Sequence, residues 1–366
     1  MIYAADWNVN ASTNLQLEYN DNKRLTDGPH DPVFGSILNV RGTLKGQTET
    51  TSFSFAPRYR IDRFKGSENL NSKTAYIDTY LSHTTERTFS QLAISYTRDT
   101  PLTSEVQQNE VALTNKIRNR WNASPFWSYQ LNARNSVNFG AAYLKVKHKD
   151  AELTELVDYK YSSGFSQYSM LWSEASKFNA KIYGSRLDAK SVHYQTDDGG
   201  VDLSLDSRLS QSGQYSIHIG WHQVTLRSGL DPAKIQDTQE GSLIGISYSK
   251  QFEKSNLLFN IDKTIEPSGV GVLVENVKGN ISYQEKLSET VTNTLMFTSS
   301  SNKSVGGVGT FNQWESHFLI WRLGIKFSKN MAFESLYRYA RQKVSEAKND
   351  AQSNSIIFTV SFHDLP

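Results

Sequence analysis

The chain lacks cysteine, and it has no long apolar run in its 366 residues. Without cysteine it has no thiolate metal site and no covalent haem attachment, and this fits an oxidising envelope compartment. No window approaches the ~18 consecutive apolar residues that a transmembrane helix needs. Hydrophobic residues make up only 37% of the chain, which is little for a soluble core of this size. The formal net charge of +2 is too small to indicate nucleic acid as a partner.

What the chain does contain is aromatic residues and two-residue alternation. It carries 18 Tyr, 18 Phe and 7 Trp. Near its end, Ile356, Phe358, Val360 and Phe362 alternate with residues of the opposite face. Such alternation is typical of a β-strand with one face in an apolar phase and the other in a polar one. Because the pattern recurs along the chain, it predicts a closed barrel with a lipid-facing and a lumen-facing side.

Short polar turns alternate with longer charged or Gly/Pro-containing loops. Seventeen such connections, eight short and nine long, predict eighteen strands. The short turns are expected at 45–47, 84–87, 132–135, 173–176, 211–214, 253–255, 287–289 and 328–330. The longer loops are expected at 21–35, 65–71, 99–108, 148–157, 189–199, 227–238, 266–270, 303–312 and 345–352.

Three features leave a count of sixteen strands open. The region 109–131 is long for a single strand, so its outer half can belong to the preceding loop. Pro57 and Pro125 fall inside expected strands, where a closed barrel has no edge to accommodate the missing N–H donor. Each is therefore expected at a bulge or at the barrel rim.

The fold prediction is an all-β, transmembrane, antiparallel up-and-down β-barrel of about 18 strands, with short periplasmic turns and longer extracellular loops. An even strand count places both termini in the periplasm. Residues 1–6 resemble the end of an Ala-rich signal cleavage region, and residues 7–363 are expected to form one barrel domain. The expected location is the bacterial outer membrane.

The polar faces of the expected strands place more basic than acidic groups in the lumen. Arg41, Arg58 and Arg60 form the densest basic group, and we expect them to contact solute. A basic surplus favours the passage of anions, because charged rings bias which solutes enter a pore. Ion pairs that brace neighbouring strands are an alternative role for these groups. The candidate solute-contact residues are Arg41, Arg58, Arg60, Lys181, Arg208, Arg322, Lys326 and Arg338.

No catalytic or metal site is expected. His218 and His222 lie four residues apart, hence on one face of a strand, but no carboxylate partner is indicated by spacing. They are expected to be solvated lumen histidines. The run 197–200, Asp-Asp-Gly-Gly, is typical of a turn and lacks the further oxygen ligands of a calcium loop. We therefore expect no enzyme, no metal and no cofactor.

The whole chain resembles bacterial outer-membrane β-barrel, porin-like proteins. Several short segments are also similar to the barrels encoded with exopolysaccharide and exosortase systems. These segments are Leu-Glu-Tyr-Asn-Asp-Asn at 17–22, Ser-Phe-Ala-Pro-Arg-Tyr at 54–59 with Arg-Phe at 63–64, Ser-Tyr-Thr-Arg-Asp at 95–99, and Ser-Pro-Phe-Trp-Ser-Tyr at 124–129. The second resemblance implies passage or secretion of a polysaccharide.

Two functions are expected from these observations. The first is an outer-membrane channel that passes or exports a polar solute, such as a polysaccharide, through a mildly basic lumen. The alternative is a structural barrel that sheathes or anchors a partner of an envelope secretion or electron-transfer complex. The expected partners are outer-membrane lipid and lipopolysaccharide, a polar or anionic solute or polysaccharide, and a periplasmic or lumen-bound protein. Conductance of the purified protein would separate the two functions.

Overall fold

The computed structural model describes residues 5–28, 30–100, 116–149, 156–189, 193–229, 235–268, 272–305, 313–344 and 350–365. These residues form eighteen β-strands and one turn of 3₁₀ helix at Glu68–Leu70. Within the same ranges, no helix has the length and the apolar character to cross a bilayer.

The strands follow one another around a single sheet. They are β1 Asp6–Asn20, β2 Val33–Gln47, β3 Thr51–Lys65, β4 Ser72–Thr84, β5 Thr88–Asp99, β6 Arg118–Gln130, β7 Asn135–His148, β8 Tyr159–Leu171 and β9 Ser176–Ala189. The second half comprises β10 Tyr194–Ser210, β11 Gly213–Ser228, β12 Ile235–Gln251, β13 Ser255–Pro267, β14 Leu273–Lys286, β15 Val291–Ser304, β16 Trp314–Lys326, β17 Met331–Val344 and β18 Ala351–Leu365.

The sheet closes on itself because β1 pairs with both β2 and β18. The closing ladder runs antiparallel from the pair Ser12 and His363 to the pair Asn20 and Ser355. Every other strand pairs with its neighbours in chain order, so the predicted antiparallel up-and-down barrel is confirmed with eighteen strands. The alternative count of sixteen is wrong. The overlong region 109–131 contributes one strand, β6, and most of its outer half lies outside the described residues.

Two predicted connections are displaced. Residues 45–47 belong to β2, and the turn follows at 48–50, because Gly46 still pairs with Trp7 in the ladder. The predicted long loop at 189–199, with the turn at 197–200, is wrong in its second half, since residues 194–200 lie within β10. There Gly200 permits close approach of β11: a Cβ atom on it would come within 2.3 Å of the Trp221 carbonyl oxygen.

Both strand prolines lie inside the wall, and neither lies at the rim or at a shift of register. Pro57 pairs with Ile77 of β4, and the ladder between β2 and β3 skips the positions beside it. The ladder between β6 and β7 likewise skips the positions around Pro125 and resumes in the same register. A local loss of ladder pairing thus accommodates each missing N–H, and the barrel stays closed.

The two faces of the wall have opposite character. Ser12, Asn14 and Gln16 of β1 line the interior, whereas Leu15 and Leu17 are 47% and 42% exposed on the outside. Similar outward apolar side chains occur on strands around the whole ring. Exposed apolar residues in such numbers would be unstable in water, so the outer wall is suited to lipid.

Candidate functional site

A cavity of about 1310 Å³ lies inside the barrel against β1–β3 and β13–β18. Six cationic side chains and three carboxylates line it, together with several asparagines. The cations are Arg41, Arg58, Arg60, Lys278, Arg322 and Arg338, and the carboxylates are Asp262, Glu266 and Glu334. We call this space the main cavity. Five of the eight predicted solute-contact residues meet here, although they come from both ends of the chain.

Two of the cations are neutralised by neighbouring carboxylates. Arg60 donates from Nε to Asp62, and the two atoms are 2.7 Å apart. Arg322 Nε lies 3.4 Å from Glu334. The Arg322–Glu334 pair joins β16 and β17 and matches the alternative role that the sequence allowed, in which ion pairs brace neighbouring strands; the Arg60–Asp62 pair lies within β3.

The other cations of the main cavity are not neutralised in this way. Among the described residues, no carboxylate lies within 4.0 Å of Arg41, Arg58, Arg338 or Lys278. The guanidinium of Arg58 lies 3.8 Å from the ring centre of Tyr76, a cation–π contact that keeps its charge. Arg338 Nε is buried and has no hydrogen-bond partner in the described part of the chain. The main cavity therefore offers positive charge that an anion can use.

The remaining predicted residues lie elsewhere. Lys181 lines a second, smaller space near β8–β13, where its Nζ is 3.7 Å from Asp202. Arg208 lines a recess of about 400 Å³ at the short-turn end of the barrel. Lys326 is exposed at the same end of β16, close to the turn at 327–330. All three face inward as predicted from strand parity, but none reaches the main cavity.

The wall is incomplete between β12 and β13. Their ladder ends at the pair Ile244 and Lys263, although β12 extends nine residues further toward the long-loop end. Beyond this point β13 pairs only with β14, as far as Pro267 and Leu273. The tip of the β13–β14 hairpin has thus left its neighbour in the sheet.

This tip folds into the lumen. Leu273 is fully buried and packs with Leu187, Tyr194 and Leu226, which lie on the inner faces of β9, β10 and β11. Ile265 packs against the same cluster. By strand alternation Ile265 and Leu273 belong to the outer face of the hairpin, so they can meet these inner-wall residues only if the hairpin bends inward. We call the described part of this bent hairpin, residues 263–268 and 272–275, the partition.

The partition divides the lumen into two compartments. Asp262 and Thr264 line the main cavity and also a second space of about 480 Å³, the side pocket. Lys263, from the opposite face of β13, lines only the side pocket. The side pocket is otherwise lined by β8–β12 and contains Tyr161, Phe165, Lys181, Tyr183, Asp198, Asp202 and His218.

The two histidines of β11 both contact carboxylates, which corrects the expectation that they are merely solvated. His218 bridges three strands: Nδ1 lies 2.8 Å from Asp202 and Nε2 lies 2.8 Å from Asp262. His222 Nδ1 lies 3.4 Å from Asp198, and both side chains are buried. The described residues contain no group of three or more side chains arranged to hold a metal ion. The contacts of His218 join β11 to β10 and β13, and the contact of His222 joins β11 to β10.

Two loops narrow the long-loop end of the lumen. In the loop after β1, Leu25 packs on Phe318, Ala340 and Ala351, which belong to β16, β17 and β18. In the loop after β3, Leu70 packs on Val33 and Phe64. Inward-folded loops of this kind reduce the cross-section of a wide barrel.

A buried cation lies within the first of these loops. Lys23 Nζ is 2.6 Å from Glu18 and 5.2 Å from the ring centre of Phe64. Burial lowers the pKa of the Lys23 ammonium below its ordinary value, and the Glu18 carboxylate opposes this shift. These two contacts of Lys23 attach the loop to the ends of β1 and β3, on the long-loop side of the main cavity.

Several residues of the site were not predicted from the sequence. The inward position of Tyr76 follows from strand alternation, whereas Asp198 lies where the sequence predicted a turn, and nothing local indicates that they meet Arg58 and His222. The partition had one weak signal: the loop at 268–272 is short and follows a Glu-Pro pair, which can change the direction of the chain.

No protein-family model and no curated protein sequence matches the chain. The chain does match several solved structures. The chain is similar to Pseudomonas aeruginosa OccK2 (OpdF) in complex with glucuronate, with a TM-score of 0.53 and 8% identity over 98% of this chain and 99% of that one. Acinetobacter baumannii OccAB2 has a TM-score of 0.52 and 9% identity, over 98% of each chain. Pseudomonas aeruginosa OpdK with vanillate has a TM-score of 0.51 and 9% identity, over 97% and 98% of the two chains.

These likenesses identify the fold as that of bacterial outer-membrane porins. Together with the apolar outer wall, the fold assigns the barrel to an outer membrane, as the sequence predicted.

Proposed function

We propose that the chain is an outer-membrane channel for small polar solutes that prefers organic anions, carboxylates above all. The observation that carries the proposal is the group of cations in the main cavity without a carboxylate partner among the described residues: Arg41, Arg58, Lys278 and Arg338. Positive groups along a pore lower the electrostatic barrier for anions and raise it for cations.

The walls around these cations suit a small carboxylate with further polar groups. Asn14, Asn39, Asn260, Asn276 and Asn280 line the same cavity and offer both donors and acceptors. The guanidinium of an arginine can bind a carboxylate through two parallel hydrogen bonds, whereas the ammonium of Lys278 acts as a point charge. A solute could thus exchange water for protein hydrogen bonds step by step, without a deep binding minimum that would stop its passage.

The structural neighbours support this choice of solute. OccK2 was solved in complex with glucuronate and OpdK with vanillate, and both ligands are small carboxylates. A polysaccharide cargo stays a prediction, and so does the alternative of a barrel that sheathes a protein partner. The prediction that the chain is not an enzyme belongs to the same proposal.

Ion selectivity in planar bilayers tests the proposal. Under a potassium chloride gradient the reversal potential should have the sign of an anion-preferring channel. The double variant R41Q/R58Q removes two of the four cations that lack a carboxylate partner, and we expect it to lose about half of the anion-over-cation preference. K326Q is the matched control, since Lys326 faces inward outside the main cavity, and it should leave the preference unchanged.

Flux of uncharged and charged sugars provides the second measurement. Liposomes that contain the barrel should admit glucuronate faster than glucose, which has nearly the same size. R41Q/R58Q should reduce the difference, in step with its loss of anion preference. A cation-preferring wild type would contradict the proposal. So would a non-conducting barrel, which would favour the sheath alternative.

A further inference from the structure

A group of outward-facing cations lies at the long-loop end of β5–β8. Lys145 and Lys147 alternate with the buried Val146 and His148, so their side chains leave the barrel on its outer face. Lys160 of β8 and Arg98 of β5 are exposed on the same face. We call Arg98, Lys145, Lys147 and Lys160 the basic patch.

The basic patch brings like charges together without neutralising them. Lys145 and Lys160 are direct partners in the ladder between β7 and β8, and directly opposed like charges destabilise a sheet. Asp188 is the ladder partner of Lys160 on the other side, but it is not within 4.0 Å of any cation among the described residues. In the described part of the chain, the Lys145 ammonium contacts the Trp121 ring, with Nζ 5.8 Å from the ring centre.

On the neighbouring strands β9–β11, by contrast, the outward-facing cations are paired with a carboxylate. Arg186 of β9 and Arg227 of β11 also face outward at this end, and both pair with Asp197 of β10. The Nε atom of Arg186 lies 2.5 Å from that carboxylate. The barrel thus pairs the cations of β9–β11 with a carboxylate, whereas the basic patch has no carboxylate within 4.0 Å among the described residues and only Asp188 as a ladder neighbour. This difference leaves the basic patch with positive charge that a further anion can neutralise.

Aromatic residues set the height of the basic patch in the membrane. The rings of Tyr96 and Trp121 lie 5.5 Å apart on the outer face, next to Arg98 and Lys145 in the strand order. Amphipathic rings of this kind lie at the boundary between hydrocarbon and headgroups. Ile94 and Tyr143, one outward position further in, are 48% and 43% exposed toward the lipid. The basic patch therefore lies at the level of lipid headgroups, in the leaflet on the long-loop side.

Further from the long-loop end than the basic patch, the outer wall carries a row of residues with a small side chain or none. Ala141, Gly164, Gly184 and Gly199 are successive ladder partners on β7, β8, β9 and β10. At ~4.8 Å per strand the row is roughly 15 Å long. We call it the glycine groove.

Packing of the barrel does not require these glycines. A Cβ atom on Gly164, Gly184 or Gly199 would meet its nearest neighbour at 3.7, 3.8 or 3.5 Å, which is ordinary van der Waals contact. Gly245, inside the barrel, differs, because a Cβ atom there would come within 2.0 Å of His218. The groove thus leaves room on the lipid side, where a hydrocarbon chain can contact the backbone closely.

We propose that the basic patch and the glycine groove together bind a phosphorylated glycolipid of the outer leaflet. The phosphate lies between Lys145, Lys160 and Arg98, and an acyl chain lies along the groove. A second copy of the chain is disfavoured as the occupant, because a two-fold interface on this face would set the lysines of one copy against those of the other. The inference does not depend on which solute passes the channel.

Lipid retention by the purified barrel tests this inference. The probes are bis-phosphorylated lipid A and its dephosphorylated form, titrated onto the detergent-purified protein and counted by native mass spectrometry. The wild type should bind the phosphorylated form more tightly. K145Q/K160Q should weaken its binding roughly thirtyfold, because each of the two cations near a lipid surface contributes about 1 kcal/mol.

Two further variants separate charge from shape. K303Q/K343Q removes the same charge from exposed outward positions on β15 and β17, at the same end of the barrel, and should bind like the wild type. G164V/G184V fills the groove and leaves the charge unchanged, so it should weaken binding of both lipids. Valine is a good strand former, and the shift in gel mobility on boiling reports whether each variant is folded.

Three outcomes would overturn the inference. One is equal binding of the phosphorylated and dephosphorylated lipids by the wild type. Another is an equal loss in K303Q/K343Q, which would show a general effect of charge. The third is a change of G164V/G184V from oligomer to monomer with lipid binding intact, which would make a second copy the occupant. Channel selectivity, measured on the same variants, should not change, so failure here is distinct from failure of the proposed function.

Discussion

At the scale of single residues, His218 is the most closely constrained side chain of the lumen. Its two ring nitrogens contact Asp202 on β10 and Asp262 on β13. These two strands flank the pair β11 and β12. The space for the ring exists only because position 245 is glycine, on the strand between β11 and β13. The polar bridge spans β12 at the height where the ladder between β12 and β13 ends, and it holds the lower part of β13 in the wall.

Gly245→Ala should therefore break the bridge. The new Cβ atom would come within 2.0 Å of Nε2 and 2.9 Å of Asp262 Oδ1, so the ring has to rotate away from both carboxylates. We expect a loss of about 1–3 kcal/mol in the free energy of unfolding, measured by urea titration of the barrel in lipid vesicles. Gly279→Ala is the control, since its Cβ atom would meet nothing closer than 3.7 Å. Equal stability of the two variants would contradict this role of His218.

At the scale of the elements, the β13–β14 hairpin decides how the lumen is divided. Its lower part belongs to the wall, and its tip packs on the inner faces of β9–β11 through Leu273 and Ile265. As a consequence, the part of β12 at the long-loop end pairs with β11 but not with β13. The partition separates the cationic main cavity from the side pocket with Asp198 and Asp202, so an anion in the main cavity is shielded from these carboxylates.

Leu273→Asp should detach the partition. A carboxylate at this fully buried position has no cation nearby in the apolar cluster, and burying an unpaired charge costs several kcal/mol. With the tip released, the two compartments merge, and we expect a larger single-channel conductance and a lower anion preference. Planar-bilayer recording measures both. Thr238→Asp places the same charge at an exposed position of β12 and should conduct like the wild type. An unchanged conductance in Leu273→Asp would show that the partition does not limit flow.

At the scale of the whole molecule, closure between β1 and β18 determines stability in the membrane. Pairing of β1 with β2 and β18, and of β18 with β17, leaves neither terminal strand with an unpaired edge in hydrocarbon, where each unpaired backbone group would cost several kcal/mol. The same geometry assigns opposite environments to adjacent residues along every strand. Near the middle of β5, Ile94 faces lipid and Ser95 faces the lumen, next to Asp78 in the ladder with β4.

Ile94→Arg and Ser95→Arg should therefore differ sharply although they are neighbours. An arginine on the lipid face costs about 2–4 kcal/mol at the bilayer midplane and less toward the headgroups, whereas one in the lumen stays hydrated and can pair with Asp78. Reversible urea unfolding in lipid vesicles measures both variants. Equal destabilisation would contradict the assignment of inner and outer faces for this strand.

The sequence by itself predicted about eighteen strands, with sixteen left open, the alternation of short turns with long loops, and the inward face of Arg41, Arg58 and Arg338. These are local properties, because a two-residue period and a polar turn can be read without knowledge of distant contacts. Strand alternation alone is therefore enough to direct Arg41, Arg58 and Arg338 toward the lumen. Only the tertiary structure decided which inward side chains meet. The contact of Tyr76 with Arg58 and that of Asp202 with His218 both depend on the register between strands.

Most of all, the tertiary structure decided that β13 leaves the wall. That bend results from apolar packing between Leu273 and residues more than forty positions away, a long-range contact that no local pattern encodes. The same holds for the outer wall, where the basic patch and the glycine groove become visible only when four strands are laid side by side.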